Sequence, residues 1–307
     1  MKIKLITHTD FDGIGCAILA KHIFGEANVN VTFCDYSDMA KAVRKGVETG
    51  LLYDRVFITD LNLTPDIIEY VNRVNDDNHI LLFDHHIQSL PHNDRSWITA
   101  KEFSDSGDKT CGTELFYNYL KHDLAYFTDT ATLHQFVKYV TYYDTWVWQN
   151  KGADGDMAKK LNELLYIYDR DIFIYKMLNY LSKSEVKYSL SSIDSVVLSV
   201  RDNEIQNYIN VKNKQLKILK VDEYTVGVVF AERFTSQLGN ELCRRHPGID
   251  FVAMICPEYN SVSFRTIKDI DLSEFAARYG GGGHKAAAGM QIDSDKLDNF
   301  VNSVFER

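Results

Sequence analysis

Hydrophobic positions alternate from Ile3 through Leu5 to Thr7, as in a half-buried strand, and Ile14, Ala17 and Ile18 then fall at helical spacing. Between them, Asp10 to Gly13 reads as a turn, and Gly25 ends the helix. Val29, Val31 and Phe33 alternate again, and the apolar run Val56-Phe57-Ile58 leads straight into Thr59-Asp60. Thr64-Pro65 is a helix start, with Ile67, Ile68 and Val71 as the apolar face behind it. A fourth run, Ile80-Leu81-Leu82-Phe83, stops abruptly at Asp84-His85-His86. Strand and helix in repeated alternation predict an α/β fold with a doubly wound parallel sheet. Such sheets place ligands at the carboxyl ends of their strands, where Asp60 and Asp84-His85-His86 fall.

The pattern then turns helical from Gly112 to Asp144, through Leu115, Tyr119 and Leu120 and later Phe136, Val137 and Val140. A second helical, aromatic-rich stretch runs from Lys151 into the 180s. Tyr142, Tyr143 and Trp146 between the two stretches read as core packing. Polar, helical residues 191–215 are the expected linker between a first domain, 1–190, and a second, 216–307. The second restarts as a small α/β unit. Val226 to Phe230 reads as a strand, Ser236 to Arg245 as a helix, and Phe251 to Ile255 and Ser261 to Thr266 as strands. Leu272 to Tyr279 is a helix, followed by a glycine run ending in His284. Ala286 to Ala288 are expected to open another helix, and Ser294 a final one.

A length of 307 residues suits two domains, and 45% apolar with 25% charged residues is a soluble, globular composition. No apolar stretch reaches about 18 residues, so no membrane span is expected. The first residues read as a strand rather than a secretory signal. Five scattered cysteines without CxxC spacing suit reduced thiols in the cytoplasm. A net charge of −9 disfavours a grip on long nucleic acid, duplex or single-stranded, which rests on clustered Lys and Arg. Divalent ions bound among carboxylates reverse the local sum, so a small phosphate ester stays compatible.

The acids carry the chemistry. His8, Asp10 and Asp12 alternate after the first strand and are expected to project toward one point, with Gly13 letting the backbone pass close behind. One imidazole among several carboxylates suits Mn²⁺, with Mg²⁺ or Co²⁺ as alternatives, better than zinc. Asp60 or Asp144 alone signifies little. Adjacent histidines beside Asp84 at a strand end are seldom core residues, and the four stretches together predict one metal cluster.

His8-Thr9-Asp10-Phe11-Asp12-Gly13, Asp60, Asp84-His85-His86 and Asp144 resemble, in order, the four motifs of the DHH phosphoesterase superfamily. Ser263-Phe264-Arg265-Thr266 and Gly281-Gly282-Gly283-His284 resemble its DHH-associated C-terminal domain. The form His-x-Asp-x-Asp-Gly is most similar to NrnB-like oligoribonucleases and cyclic-nucleotide phosphodiesterases. The resemblance implies two Mn²⁺ ions, one on His8 and Asp10 and one on Asp12 and His85, with Asp60 bridging and Asp144 completing the set. Asp84 and His86 are implied as catalytic residues. Asp84 orients the histidines, and His86 meets the phosphate or protonates the leaving oxygen. A water activated by two metals then attacks phosphorus in line.

Arg265, Gly281, Gly282, Gly283 and His284 are implied substrate-binding residues, with Lys109 to Thr113 as a further phosphate contact. The expected reaction is hydrolysis of short RNA, about two to five nucleotides, to 5′-mononucleotides. Alternatives are a phosphodiesterase for linear or cyclic dinucleotides or cAMP, a RecJ-like exonuclease, and a nucleotide sensor or sponge without turnover. A homodimer is a candidate assembly.

Overall fold

The computed structural model describes residues 1–75, 79–124, 127–183 and 186–305, and divides into two compact units, Met1–Leu198 and Ser199–Arg307. In the first unit the chain order is β1 (Ile3–Thr7), α1 (Phe11–Phe24), β2 (Val29–Phe33), α2 (Met39–Glu48), β3 (Arg55–Thr59), α3 (Pro65–Val74), β4 (Ile80–Asp84) and β5 (Ile98–Ala100). Helices α4 (Gly112–Asp123), α5 (Ala131–Asp144), α6 (Gly152–Ile167) and α7 (Arg170–Leu181) follow. Every strand pair is parallel, in the order β2-β1-β3-β4-β5. The chain therefore leaves β1 for one side and returns to its other side, so the crossovers lie on opposite faces. A crevice opens at the carboxyl ends of β1 and β3, the switch point of such a sheet.

Helix α1 explains most of the core on one face. Ile14, Cys16, Ala17, Ile18, Leu19 and Ala20 are all buried, which is the pattern of a helix covered on every side. It packs against the sheet through β1 and β2 and against α4, α5 and α7. On the other face, Val43 and Val47 of α2 and Ile67, Ile68 and Val71 of α3 cover Ile6, Ile58 and Leu82. Each such side chain contributes about 1.5–3 kcal/mol when fully buried.

Local chemistry corrects several boundaries. Asp10 to Gly13 is no free turn: Asp10 caps α1 by accepting from Gly13 N at 3.0 Å, so Asp12 lies in the first helical turn. The stretch from Gly112 to Asp144 is two helices, because Thr130 accepts from Leu133 N at 3.1 Å and starts α5 afresh. Asp169 does the same for α7, accepting from Asp171 N at 2.9 Å. Helix α2 and the three-residue β5 had no reading in the sequence.

Helix α8 (Ser192–Gln215) begins in the first unit and ends in the second. The second unit continues with β6 (Lys217–Val221), β7 (Tyr224–Phe230), α9 (Thr235–Arg245), β8 (Phe251–Cys256), β9 (Ser261–Arg265), α10 (Leu272–Ala277), β10 (Gly282–His284), β11 (Ala287–Gln291) and α11 (Ser294–Phe305). Its six-stranded sheet runs β10-β11-β9-β8-β7-β6, with only β7 and β8 parallel. Ile205, Ile209, Leu238 and Leu242 fill one core, and Phe251, Phe264 and Phe275 the other. Ala286 to Ala288 do not open a helix. Lys285-Ala286 is a two-residue turn, and β11 pairs back onto β10.

Candidate metal centre

Three parallel strands end side by side and deliver most of the acids. β1 ends at Thr7 and β3 at Thr59, and the Thr59 hydroxyl donates to Thr7 Oγ1 at 2.8 Å. His8 and Asp60 follow directly. Thr7 Oγ1 also donates to Gly13 O at 3.0 Å, drawing the start of α1 onto the strand end. That approach is possible only at glycine: a Cβ on Gly13 would lie 2.2 Å from His8 O. His8 Nδ1 then stands 3.0 Å from Asp10 Oδ2 and 3.8 Å from Asp60 Oδ2.

β4 supplies the second half. His85 Nε2 lies 3.4 Å from Asp60 Oδ1, 3.6 Å from Asp144 Oδ2 and 3.9 Å from Asp12 Oδ2. Asp144 reaches this point because α5 ends there, at the close of its last turn. Candidate ligand atoms therefore gather in three overlapping groups: His8, Asp10 and Asp60; Asp12, His85 and Asp144; and Asp60, His85 and His86, each within 4.8 Å. All six residues read as metal ligands come together, with Asp60 shared between groups.

Asp84, inside β4 and fully buried, is bound on both oxygens. It lies 2.7 Å from His86 Nδ1 through Oδ1 and accepts from the Ser89 hydroxyl through Oδ2. His86 Nε2 in turn meets the Tyr36 hydroxyl at 3.0 Å. Tyr36 and Asp35 went unread in the sequence. They follow β2 after Cys34, so the carboxyl-end rule that marked Asp60 and Asp84 marks them also. Asp35 Oδ1 accepts from Thr9 Oγ1 at 2.5 Å and stands 3.8 Å from His8 Nε2.

Asp12 has a further partner across the fold. Gly112 N and Thr113 N donate to its two carboxylate oxygens at 2.6 and 2.7 Å, so Asp12 caps α4. The Gly112 and Thr113 amides read as a phosphate contact are thus already spent on this carboxylate. A carboxylate has about four lone-pair positions, so two N–H bonds leave Asp12 free to accept more.

The electrostatics of the cluster are those of too many acids. Burial raises the Asp60 carboxyl well above its ordinary range, and Asp10, Asp12 and Asp144 add to it. Burial and then Asp12 raise Asp144 to about 8. Burial works against Asp10 as well, but the His8 imidazole and the Gly13 amide hold it down at about 2. Burial disfavours the charged form of His85, yet Asp144 and Asp12 outweigh it and raise its pKa. Asp60 Oδ2 and Asp144 Oδ2 are buried without a hydrogen-bond partner among the described residues. Asp60 is also held at a φ of 52°, in the left-handed region. Orphaned carboxylate oxygens, strain and mutual repulsion are what divalent cations relieve, and an oxygen-rich set with two imidazoles fits hard or borderline ions. The residues present fit such ions.

In the second unit, register aligns the residues read as substrate contacts. His284 pairs with Ala287, and Ala287 pairs with Arg265, so these side chains share one sheet face with only a methyl between them. Arg265 donates to Phe264 O at 2.8 Å and Ser236 Oγ at 3.3 Å, and no carboxylate pairs with it among the described residues. Burial lowers its pKa. Gly283 has a φ of 139°, and a Cβ there would sit 2.6 Å from Ala288 Cα, so the glycines first serve the tight hairpin. Of Gly281, Gly282 and Gly283, Gly282 has open space around it.

Trp146 corrects the core reading of the aromatic residues near Asp144: it is 45% exposed. Among the described residues no helix is long and apolar enough to cross a membrane.

Family models match residues 2–143 as the DHH family N-terminal domain and residues 245–307 as a DHHA1 domain. The chain is 34% identical to oligoribonuclease NrnB of Bacillus subtilis over 98% of its own length and 75% of the relative's. It is 23% identical to a 3′,5′-cyclic-nucleotide phosphodiesterase of Helicobacter pylori, over 95% of this chain and 93% of that one. The crystal structure of exonuclease RecJ bound to manganese shares the fold, with a TM-score of 0.63 and 13% identity, over 98% of this chain and 88% of that one. Matched domains in this order, together with so long a stretch of identity, make the chain a member of the DHH family with a C-terminal DHHA1 domain.

Proposed function

We propose that the chain is a divalent-metal-dependent phosphodiesterase that hydrolyses short oligoribonucleotides, about two to five nucleotides long, to 5′-mononucleotides. The observation that carries this reading is the buried acid–histidine cluster at the β1/β3 switch point, with its two orphaned carboxylate oxygens. The oligoribonuclease relative, similar along nearly the whole chain, supports the substrate class. His8, Asp10, Asp12, Asp60, His85 and Asp144 are the residues that would hold the ions. Mn²⁺ is the proposed native ion, with Mg²⁺ or Co²⁺ able to stand in. When bound, such ions lower the pKa of water toward neutrality and neutralise charge on the phosphoryl oxygens.

The chain's own residues do the rest. Asp84 fixes the tautomer of His86 by holding Nδ1, which leaves Nε2 as the atom that faces outward. Tyr36 meets that atom at 3.0 Å, and with the proton held on Nδ1 it is the Tyr36 hydroxyl that donates to Nε2. Asp12 is held against rotation by two backbone amides, which pre-organises the cluster. Arg265 and His284, with Gly281, Gly282 and Gly283 as the turn that presents them, bind a phosphate of a short strand; the Gly281 amide itself is taken by Ala276 O at 2.9 Å. A net charge of −9 agrees with a short substrate rather than a long one. The enzyme works in the cytoplasm, and a homodimer is its candidate assembly.

The second reading is a phosphodiesterase for linear or cyclic dinucleotides or cAMP, and the cyclic-nucleotide phosphodiesterase relative favours it. One assay separates the two. Protein stripped of metal and reloaded with Mn²⁺ is mixed with 5′-labelled RNA dimers, 5-mers and 24-mers, with pApA and cAMP alongside. Rapid loss of the dimer that requires Mn²⁺, disappears in Asp60→Asn and far outpaces the 24-mer supports the proposal. Cleavage of cAMP alone selects the second reading. Tight binding without any turnover selects a sensor.

A further inference from the structure

We propose that Trp146 is the platform on which a nucleobase of the substrate stacks beside the metal centre, an inference that rests on the phosphodiesterase reading above. Helix α5 ends at Asp144, and the chain passes through Thr145 to Trp146 with a φ of 61°. That left-handed position just past a helix end is the habitual place of glycine, since a Cβ there crowds the following carbonyl oxygen. A tryptophan is the bulkiest substitute, and packing does not explain it: 45% of its surface stays exposed. Backbone strain kept beside a cluster of acids is a mark of function rather than folding.

The geometry suits a flat, apolar ligand. Tyr143 and Trp148 meet the indole at 63° and 80°, with centroids 6.0 and 5.8 Å away. Both contacts are T-shaped, so neither ring lies flat on it. The turn beneath is closed by Trp146 N donating to Tyr143 O at 3.0 Å. Position and orientation are therefore fixed while the ring stays accessible. Asp144, two residues earlier, stands 3.6 Å from His85. Two residues of chain span at most about 7 Å, and Tyr143, which packs against the indole, also meets the ring of Phe11 between Asp10 and Asp12, so Trp146 sits at the border of the cluster. A phosphodiester held by the ions would carry its bases to that border.

Of the other exposed aromatics near the site, Tyr36 is less suited. Its hydroxyl is bound to His86 and its ring lies beside His8, with centroids 5.2 Å apart. Tyr36 is committed to the imidazoles. Trp146 supplies the surface that ions and cationic side chains cannot, since every base has a π face.

The test compares wild type, Trp146→Ala and Trp146→Phe, all loaded with Mn²⁺, on an RNA dinucleotide and on the same dinucleotide with one abasic ribose. Loss of one stacked base corresponds to roughly a 5- to 150-fold effect. Trp146→Ala is expected to raise KM for the complete dinucleotide by a factor in that range with kcat nearly unchanged. Trp146→Phe restores most of it, and the abasic substrate responds less than twofold. An unchanged KM in Trp146→Ala overturns the proposal, as does an equal loss on the abasic substrate, which would mean a displaced Asp144. A second measurement does not depend on turnover. Adenosine 5′-monophosphate titrated into the Mn²⁺-loaded protein should quench tryptophan fluorescence in wild type and not in Trp146→Phe. Quenching without dinucleotide cleavage retains the base site and removes the oligoribonuclease reading; cleavage without quenching does the reverse.

Discussion

The two regions read as functional are built on opposite economies of polar groups. At the switch point of the first unit, carboxylates are crowded and buried, and two of their oxygens have no hydrogen-bond partner among the described residues. On the hairpin face of the second unit, Arg265 and His284 stand across β11 with Ala287 between them, and the glycines before His284 serve the tight hairpin. The first region is unfinished without cations. The second is complete as a fold and leaves Arg265 without a carboxylate partner among the described residues. The proposed function divides the task in the same way, with chemistry assigned to the first region and the charge of the substrate to the second. Their responses to mutation should differ in kind.

Asp60→Asn should cause the largest change. Removing the carboxylate shared between the ligand groups should lower turnover of an RNA dimer by at least about 100-fold. The metal-free protein should not lose stability, because the buried oxygen that disappears had no partner to lose. A calorimetric scan of the stripped variant checks this, and a clear drop in Tm would mean that Asp60 is a structural group. Arg265→Ala should be next, and of the other kind. A charge-assisted hydrogen bond to phosphate contributes about 1.5–3 kcal/mol, so KM should rise roughly ten- to a hundredfold with kcat largely kept. Steady-state kinetics separates the two parameters, and a fall in kcat alone would move Arg265 into the chemistry.

Gly283→Ala breaks the hairpin rather than a contact. A φ of 139° and a Cβ 2.6 Å from Ala288 Cα make the alanine strained and crowded, at a cost of about 1–3 kcal/mol. Denaturant unfolding should show that loss, and KM should rise with it because His284 lies on the next residue of the same strand. If stability were unchanged, the glycine would be serving the ligand and not the turn.

How much of this was legible in the sequence depended on whether a group acts through its neighbours in the chain or across the fold. The strand ends carrying His8, Asp60 and Asp84-His85-His86 were readable, because an apolar run that halts at an acid is a local signal. So was the need for glycine at position 13. The role of Asp10 as a helix cap, rather than part of a turn, was misread because Ile14, Ala17 and Ile18 seemed to begin the helix later than it starts. The Asp12 bonds to Gly112 and Thr113 join residues about a hundred apart and leave no local trace. Ala286 to Ala288 were read as a helix start on composition, whereas pairing with β9 made them a strand. Tyr36 was missed for want of a motif, although its place after β2 was signal enough. Trp146 was taken for core because an aromatic among aromatics usually is.

The smallest effect comes from an acid that resembles the site acids in burial and differs in being satisfied. Asp194, at the start of α8, accepts from Tyr168 at 2.7 Å, from Ser191 N at 2.9 Å and Ser191 Oγ at 2.8 Å, and pairs with Lys176 at 3.0 Å. Burial pushes its carboxyl up, but the bonds from Tyr168 and Ser191 and the Lys176 ammonium outweigh it and hold it at about 2. An unfolded aspartate titrates near ~3.9, so the folded state binds fewer protons between these values. The stability that Asp194 contributes is therefore complete above about pH 4 and is lost as pH falls toward about 2. In Asp194→Asn that part of the acid limb should vanish, while dimer hydrolysis at neutral pH stays within twofold. Unfolding measured from pH 5 down to pH 2 in both proteins would show it as converging curves. Curves that stay parallel would mean the bonds around Asp194 do not distinguish its charged form. The contrast with the cluster acids would then rest on burial alone and not on the supply of hydrogen-bond donors.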